Sequence, residues 1–494
     1  VGSISEQITV TGEAPLVERA SATVGSSLGR EQLQNLAIFG RNTFFAAIST
    51  AGVIQSGDPQ FVRYQDQSGA SSLSVGGGPK RGNGYLIEGV PITDFINRPT
   101  ISPSMEAVDE LKVQTKTYEA DMGHAAGGVF NTTARSGSNT WRGSALLVSK
   151  PGATTGTLFF AKRAGLANPP QYYHNWAGSL GGPIVKDKTF FWFSTDDYVQ
   201  RSTRNNVITL PTAAERAGNY ASSTTILYDP LTTRTVNGVI VRDPFPGNVI
   251  PADRISPAAR AMLAAMPTPT SGRSFNGQAT LDDGPQNQET VKVDQRWTDK
   301  WTTTGMYAHQ YTKEPGSAFY GPHGSVAGDP GASLLFRTVD FVAVNNVFVP
   351  NNTTAIAVRV GVNRFEDFGG NFPAADAAQL GFPASLVSQM TYNTFPNATI
   401  TGYNGLGNGG PNETTHGLKT VNATVSKFVG HHTFKMGGEY RQMSADTSTF
   451  GNSAGTYSFT QSFTAANPTA SGGDAFASFL LGYPATGSIV YATP

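Results

Sequence analysis

The feature that most constrains the fold is a two-residue alternation of apolar and polar side chains, in segments of about ten residues, after position 141. In one segment the apolar positions are Ile356, Val358, Val360 and Val362, with Arg359 and Asn363 on the other face. Successive side chains of a strand point to opposite faces, so the pattern predicts strands with one apolar and one polar face. A membrane barrel has such strands, but so does a soluble sandwich, and alternation alone does not separate the two.

The connections between these segments favour the barrel. Four short connections are flanked by aromatic or large apolar residues, at 185–190, 297–301, 348–352 and 428–434. The other connections are long and rich in Gly, Pro and Asn, at about 204–286, 315–335 and 368–415. Aromatic girdles, short periplasmic turns and long extracellular loops are typical of outer-membrane barrels. One segment, 338–349, is apolar on both faces, so the pattern does not assign its register.

The first 140 residues have a different pattern. A short helix is expected at 30–36, and short strands at 73–75, 85–87, 110–115 and 128–134. They predict a small α+β domain of about 115 residues, which as a compact unit measures about 35 Å across. About ten barrel strands follow, whereas a barrel of about eight strands has room only for its own side chains. We therefore expect the chain to be a piece of a longer protein that holds the rest of the barrel.

Composition excludes several classes of function. Charged residues make up 14% of the chain, against about 25% in soluble domains, and the 35 basic and 35 acidic residues cancel. Zero net charge argues against a nucleic-acid partner, which requires a basic surface. The absence of cysteine excludes disulfides, thiolate zinc sites and thiol nucleophiles. The sequence contains no stretch of about 18 apolar residues, so it predicts no membrane-spanning helix.

Motifs for catalysis or metal binding are weak. The glycine-rich segment 76–82 lacks the Gly-Lys-Ser/Thr ending of a phosphate-binding loop, and segment 177–181 lacks the first glycine of a nucleophile elbow. Asp196 and Asp197 are neighbours on an extended segment and therefore face opposite ways. His431 and His432 need further ligands to hold a metal. We expect no enzyme activity, no metal site and no cofactor.

Several short motifs resemble TonB-dependent outer-membrane transporters of the Oar-like group, and the likeness runs along most of the chain. The opening segment resembles a TonB box, with the residues Glu6, Gln7, Ile8, Thr9, Val10 and Thr11. The motifs that resemble a plug domain are Gly40-Arg41-Asn42, Glu88-Gly89-Val90, Gly127-Gly128 and Arg135. Segments 178–191 and 244–251 resemble the barrel of the same group.

The resemblance implies a mainly β fold, with a small α+β plug domain followed by an incomplete antiparallel transmembrane β-barrel. The barrel would contain about ten strands of a larger one of roughly 22. Residues 1–21 would hold the end of a regulatory-like domain, the TonB box and a linker. Residues 22–140 would form the plug, and residues 141–494 the N-terminal part of the barrel. The resemblance also suggests that Arg41, Glu88 and Arg135 form ion pairs between plug and barrel.

The implied function is active transport of a scarce substrate across the bacterial outer membrane, with plug remodelling driven through TonB. The expected partners are TonB, outer-membrane lipid and an unidentified transported ligand, whose contact residues the sequence does not identify. An alternative is a structural or adhesive outer-membrane barrel that binds surfaces through its long loops. A secreted all-β hydrolase is a third interpretation.

Overall fold

The structure, a computed structural model, describes residues 24–36, 38–55, 72–116, 123–157, 159–163, 165, 171–315, 319–320, 328–331, 334–370, 377–407 and 409–490. The first strands are β1 (Val24–Gly29), β2 (Val53–Gln55), β3 (Leu73–Val75), β4 (Gly84–Ile87), β5 (Val90–Pro91), β6 (Val108–Lys116) and β7 (Val129–Ala134). The later strands are β8 (Arg142–Lys150), β9 (Tyr172–Val185), β10 (Thr189–Thr209), β11 (Arg234–Val236), β12 (Val239–Val241), β13 (Ser274–Thr298), β14 (Trp301–Pro315), β15 (Leu334–Asn351), β16 (Thr354–Gly370), β17 (Asn397–Ile400), β18 (Asn412–Val429), β19 (His432–Thr449), β20 (Thr456–Phe459) and β21 (Thr486–Ser488).

The helices are short. The α-helices are α1 (Arg30–Asn35), α2 (Phe159–Arg163), α3 (Ala213–Arg216), α4 (Pro257–Leu263), α5 (Ala384–Val387) and α6 (Ala475–Leu481). The 3-10 helices are Phe39–Arg41, Thr43–Ser49, Gly152–Thr154, Pro230–Thr232, Pro246–Asn248, Ala252–Arg254 and Gln461–Phe463. Among the described residues, no helix has the length and apolar character needed to cross a bilayer.

The N-terminal domain, residues 24–136, contains a five-stranded sheet in the order β1-β6-β7-β4-β5. Strands β4 and β7 pair in parallel, and the other neighbours are antiparallel. Its core is aromatic: the rings of Tyr85 and Phe130 stack with centroids 4.8 Å apart, and Phe44 meets Tyr85 edge-on at 4.9 Å. The predicted helix and four strands are confirmed, with ends that differ by at most two residues.

The second unit is a nine-stranded antiparallel sheet, here called the barrel sheet, in the order β8-β9-β10-β13-β14-β15-β16-β18-β19. Consecutive strands of each hairpin are neighbours, as in an up-and-down barrel. The sheet is not closed within the described part of the chain, because β8 and β19 lie at its two edges. The four predicted short connections are confirmed, with two or three residues between the paired strands.

The bounds predicted for the connection 204–286 are wrong, because the strands on both sides extend into it. Strands β10 and β13 continue to pair until Thr209 lies opposite Ser274, and they reach 21 and 25 residues. A membrane-spanning strand needs only about 9–11 residues, so this hairpin extends well beyond the bilayer. The residues in this extension of the hairpin are polar and resemble a loop in sequence. They still pair as strands, because an antiparallel ladder in water needs only backbone hydrogen-bond partners.

The outer face of the barrel sheet exposes a band of large apolar side chains. Its members include Trp176, Leu180, Phe193, Val291, Tyr307, Val342, Val358, Val360, Val362, Val421, Met436 and Tyr440. A soluble sandwich would bury this face, whereas a membrane barrel presents it to lipid. Aromatic residues lie exposed beside the short turns, and Trp297 and Trp301 contact each other with ring centroids 5.7 Å apart. The band decides between the two folds that alternation left open.

Strand β15, whose register the sequence did not assign, is apolar on both faces because both faces meet apolar surroundings. Val342 is exposed on the outer side, whereas Val339, Phe341 and Ala343 are buried in the core of the N-terminal domain. Its register places Phe348 opposite Ile356. The inner face of this strand therefore contacts protein instead of the water that the alternation rule assumes.

The long connections pack together into one unit, here called the cap, which consists of residues 210–273, 319–320, 377–411 and 450–490. They share a hydrophobic core around α6, in which Phe476, Phe479 and Leu480 are fully buried. Strand β17 pairs in parallel with β20, so two connections far apart in sequence form one small sheet. The cap is thus a folded layer and not a set of independent loops.

The close approach of Val90 to β16 yields a test of how the two units dock. A Cβ on Gly361 would lie 2.1 Å from Val90 Cγ1, so Gly361→Ala should weaken docking by about 1–3 kcal/mol through overpacking. The expected result is faster trypsin cleavage of the N-terminal domain in isolated outer membranes. Val90→Ala should restore resistance in the double variant. Gly438→Ala is the matched control, because no atom lies within 4 Å of the added Cβ. Equal cleavage of both glycine variants would contradict this docking.

Candidate functional site

The candidate site is the interface between the N-terminal domain and the inner face of the barrel sheet. One part of this interface is apolar: Met306, Ala308, Val339, Phe341, Ala343 and Phe365 of β14, β15 and β16 join the core of the N-terminal domain. We call these six residues the apolar wall. The remaining contacts are ion pairs and hydrogen bonds, and Glu88 of the predicted plug motifs lies among them.

Glu106 is the centre of the largest polar cluster and is buried. Arg41 Nη2 lies 2.8 Å from Glu106 Oε1, and Arg135 Nη1 lies 3.7 Å from Oε2. From the barrel sheet, the Ser144 hydroxyl donates to Oε2 at 2.5 Å. Gly40 and Arg41 both have positive φ, 72° and 51°, which turns the Arg41 side chain out of its 3-10 helix. One carboxylate thus joins two arginines of its own domain to strand β8.

Arg135 also contacts the barrel sheet directly. Its guanidinium carbon lies 3.8 Å from the centre of the Trp192 ring, and Trp192 Nε1 donates to the Glu106 carbonyl at 3.1 Å. Stacking of this kind is attractive, and more so where water is excluded. Burial, followed by the charge of Arg30, lowers the pKa of Arg135 to about 10. The side chain still carries its charge at neutral pH.

The pKa of Glu106 follows from opposing effects. Burial by itself would raise it, but the hydrogen bond from Ser144, the hydrogen bond and charge of Arg41 and the charge of Arg135 lower it below the usual 4.5. The carboxylate is therefore ionised at neutral pH and contributes to docking in that form.

Glu88 forms the ion pair that crosses the interface. Lys292 Nζ of β13 lies 2.8 Å from Glu88 Oε1 and also donates to the Ala134 carbonyl at 2.9 Å. The Ala134 amide donates to the same Glu88 oxygen at 2.7 Å, and Asn345 Nδ2 of β15 donates to the Glu88 carbonyl at 3.1 Å. Glu88 and Gly89 both have positive φ, which forms the tight turn from β4 to β5. Both charged groups are largely buried.

The expectation of three ion pairs between the units is thus correct for Glu88, whereas Arg41 and Arg135 form theirs inside the N-terminal domain, with Glu106. The sequence analysis missed Glu106, Ser144 and Lys292. Their partners lie between 29 and 204 residues away along the chain, so no local pattern marks them.

The remaining motif residues have structural contacts. Asn42 caps the helix Thr43–Ser49 by accepting from the Phe44 amide at 3.0 Å, and Val90 packs against β16. The Gly128 amide donates to Asn83 Oδ1 at 3.0 Å, and a Cβ on Gly127 would lie 2.3 Å from the same oxygen. The TonB-box residues Glu6, Gln7, Ile8, Thr9, Val10 and Thr11 lie outside the described residues.

The end of the N-terminal domain near the long connections carries the loop 94–98. Asp94 holds this loop by accepting from the Ile96 amide at 3.0 Å and from Arg98 Nε at 2.7 Å. Arg98 Nη1 lies 3.9 Å from Asp367, close to the end of β16 that leads into the cap. Phe95 is 50% exposed, with its ring centroid 4.9 Å from that of His416. Loop 94–98 is thus braced from within by Asp94 and presents one partly exposed ring.

The cap is held together by a second polar cluster. Asp474, at the N-terminus of α6, accepts from the hydroxyls of Tyr220 at 2.9 Å and Tyr403 at 3.0 Å. Arg273 pairs with Glu215 and lies 3.8 Å from Asp474. Burial, with the negative charge of Asp474, raises the pKa of both tyrosines, so their hydroxyls remain protonated donors. The cluster ties three of the cap segments together.

Comparison with known proteins agrees with this architecture. The profile of the family described as "Outer membrane beta barrel domain" matches residues 133–494, which is more than half of the chain. The chain belongs to this family. It therefore lies in the bacterial outer membrane, as predicted from the alternation and the turns.

Curated and solved relatives extend the likeness. The TonB-dependent transporter Oar of Myxococcus xanthus is 27% identical over 198 residues, which cover 38% of this chain and 18% of that protein. The outer membrane transporter YddB of Escherichia coli has a TM-score of 0.55 at 12% identity, over 88% of this chain and 50% of that one. The ferric enterobactin receptor PfeA of Pseudomonas aeruginosa has a TM-score of 0.47 at 11% identity, over 85% of this chain and 49% of that one.

The chain thus spans about half the length of these solved structures and less than a fifth of the curated relative. The relatives reported above are named as transporters and receptors, not as enzymes. The mainly β fold with an incomplete antiparallel barrel is confirmed.

The Glu88–Lys292 pair provides a test of the interface. Lys292→Met should lower the free energy of docking by about 3–5 kcal/mol, because it leaves a buried carboxylate without its partner. The measurement is trypsin cleavage of the N-terminal domain in the full-length protein. Glu88→Gln should recover part of the loss in the double variant. Asp299→Asn is the control, because its pair with Arg296 is exposed and contributes little. A Lys292→Met variant as resistant as the control would contradict a docking role for the pair.

The lowered pKa of Glu106 predicts how the stability of the N-terminal domain depends on pH. The folded carboxylate binds a proton less readily than the unfolded one, so its contribution is fully present above pH 4.5 and is lost as the pH falls through the lowered pKa. The melting temperature of the N-terminal domain should therefore decline on acidification below about pH 4.5, and less steeply in Glu106→Gln. Glu31→Gln, an exposed carboxylate in α1, serves as control and should keep the wild-type slope. Identical slopes in all three proteins would refute the assignment.

Proposed function

We propose that this chain is the plug and the N-terminal part of the barrel of a TonB-dependent transporter, which imports a scarce substrate across the outer membrane. Residues 22–140 would act as the plug and residues 141–494 as part of the barrel. The observation that carries the proposal is that a folded domain covers the inner face of an outer-membrane sheet through a buried ion pair, hydrogen bonds and the apolar wall. A passage filled in this way is closed until something moves the domain.

The strength of the docking explains why the transporter would need an energy source. Displacing the N-terminal domain breaks the contact between Glu88 and Lys292, and each ~1.4 kcal/mol of docking free energy lowers the open population tenfold. Separation of the apolar wall adds to this cost. Spontaneous opening would be too rare for uptake, and external work would be required.

TonB would supply that work through the segment that contains Glu6, Gln7, Ile8, Thr9, Val10 and Thr11. An extended peptide with β-branched residues can add as a strand to the exposed edge of a partner's sheet, and backbone hydrogen bonds then transmit a pull. The relative in Myxococcus xanthus is named as TonB-dependent, which supports the same coupling here. The pull would remodel the plug.

The substrate would meet the plug at loop 94–98, beneath the cap. Phe95 offers an exposed ring there, and the Asp94–Arg98 pair keeps the loop in one conformation. The cap would control access, since its segments share one core and one polar cluster. The chemical identity of the substrate does not follow from these contacts.

The test is binding of a peptide of residues 3–17 to the C-terminal domain of TonB from the same bacterium, measured by calorimetry. We expect saturable binding, reduced at least tenfold in Val10→Pro, because proline removes a backbone donor from the added strand. Ala14→Pro is the matched control, because it places the same residue outside the proposed box. Absence of saturable binding, or equal loss in both variants, would contradict the TonB proposal and favour the adhesive barrel.

A further inference from the structure

The interface between the N-terminal domain and the barrel sheet is chemically uneven. On β14, β15 and β16 the contact is mainly the apolar wall, where Phe341, Ala343 and Phe365 are almost fully buried against the domain. Asn345 and Asn363 add hydrogen bonds to the Glu88 carbonyl and to Thr100. Gly361 of β16 lies directly against Val90, since a Cβ there would lie 3.4 Å from Val90 Cβ. Apolar surfaces packed this closely leave no room for water between them.

On β9, β10 and β13 the contact consists of the Glu88–Lys292 ion pair, the stacking of Arg135 on Trp192 and single hydrogen bonds. The Ser104 hydroxyl donates to Asp196 at 2.7 Å, and Gln288 Nε2 donates to the Ser102 carbonyl at 2.9 Å. Asn175 of β9 donates to the other oxygen of Asp196 at 2.6 Å. We call Asn175, Ser194, Asp196, Tyr198, Gln286 and Gln288 the polar wall. Apart from Asp196, its members are uncharged amides and hydroxyls.

Part of the polar wall lines a cavity of about 30 Å³, whose other lining residues include Arg41, Ser102, Ser104 and Gln310. A space of this size and polarity accommodates about two water molecules. Arg41 Nη1 at this cavity has no hydrogen-bond partner among the described residues, and neither have Asn175 Oδ1 and Ser194 Oγ of the polar wall. Water in and beside the cavity would satisfy such groups.

These two walls respond differently to a pull on the N-terminal domain. Groups on the polar wall, and the charges of Glu88 and Lys292, can exchange each protein contact for one to water as the gap widens, and a polar cavity already lies there. Separation at the apolar wall gains no such replacement contacts. It exposes apolar surface to water, which is unfavourable. Separation is therefore easier along β9, β10 and β13 than along β14, β15 and β16.

We propose that the plug opens along the polar wall while it stays attached to the apolar wall, so that the substrate passes between segments 40–42 and 102–104 and strands β9, β10 and β13. This inference rests on the proposed function and goes beyond it by assigning the route. Because amides and hydroxyls line the route, the substrate would pass by exchanging hydrogen bonds with the wall. Asn175, Gln286 and Gln288 are the residues that would contact it.

The experiment uses the absence of cysteine from these 494 residues. Single cysteines are placed in the full-length protein, with any cysteine outside this chain replaced by serine. Ser194→Cys reports on the polar wall and Ala343→Cys on the apolar wall, and both positions are 1% exposed at rest. Whole cells are treated with a membrane-impermeant sulfonated maleimide, with and without TonB. We expect labelling of Ser194→Cys to rise at least tenfold with TonB, and that of Ala343→Cys less than twofold.

A disulfide across the apolar wall tests the attachment itself. The Cβ separation of 3.4 Å between positions 90 and 361 is close to the range that a disulfide requires. In the oxidised triple variant with Val90→Cys, Gly361→Cys and Ser194→Cys, TonB-dependent labelling of position 194 should persist within twofold of the reduced protein. Loss of labelling on oxidation, with recovery on reduction, would overturn the proposal.

The other outcomes are equally decisive. Equal TonB-dependent labelling at positions 194 and 343 would mean that the whole plug leaves the sheet, and a response at 343 alone would place the opening on the opposite wall. If neither position responds although the peptide of residues 3–17 binds TonB, the route lies elsewhere and this inference fails alone. If that binding is also absent, the proposed function fails with it.

Discussion

The contact between the N-terminal domain and the inner face of the barrel sheet is the constraint on which the rest of the structure depends. Lipid can satisfy only the outer face of such a sheet, and an inward face must be covered by water or by protein. Here it is covered by a folded domain, so the inward residues of each strand match what that domain presents. Phe341 faces the aromatic core, whereas Lys292 faces Glu88.

The polar contacts of this interface differ in whether they would survive displacement of the N-terminal domain. Glu106 holds two arginines of its own domain and also accepts from Ser144 of the sheet. Because the arginines travel with Glu106, displacement of the domain would leave that carboxylate paired. Glu88 differs, since its lysine belongs to the sheet. The two carboxylates thus have different parts in docking: one stabilises the domain itself and the other holds it in place.

The cap is the part of the structure that local sequence patterns described least well. Its segments contain turn-forming residues and were expected to be loops, yet α6 supplies a buried aromatic core to connections that are up to 270 residues apart. The β10–β13 hairpin extends far beyond the length that a bilayer needs. In both cases each segment alone shows mainly polar or turn-forming residues. Pairing between segments that are distant in sequence produced the ordered structure.

The sequence by itself determined the strands, the short turns and the orientation of the outward face. Alternation and aromatic placement are local, and lipid imposes the same requirement on every outward position, as at Val358 and Val360. Only the tertiary structure decided what each inward-facing side chain contacts. Val339 and Gln288 lie on equivalent inward positions, but one meets an apolar core and the other a backbone carbonyl of Ser102. The partner of an inward residue comes from a distant part of the chain, so its chemistry is set by docking and not by strand periodicity.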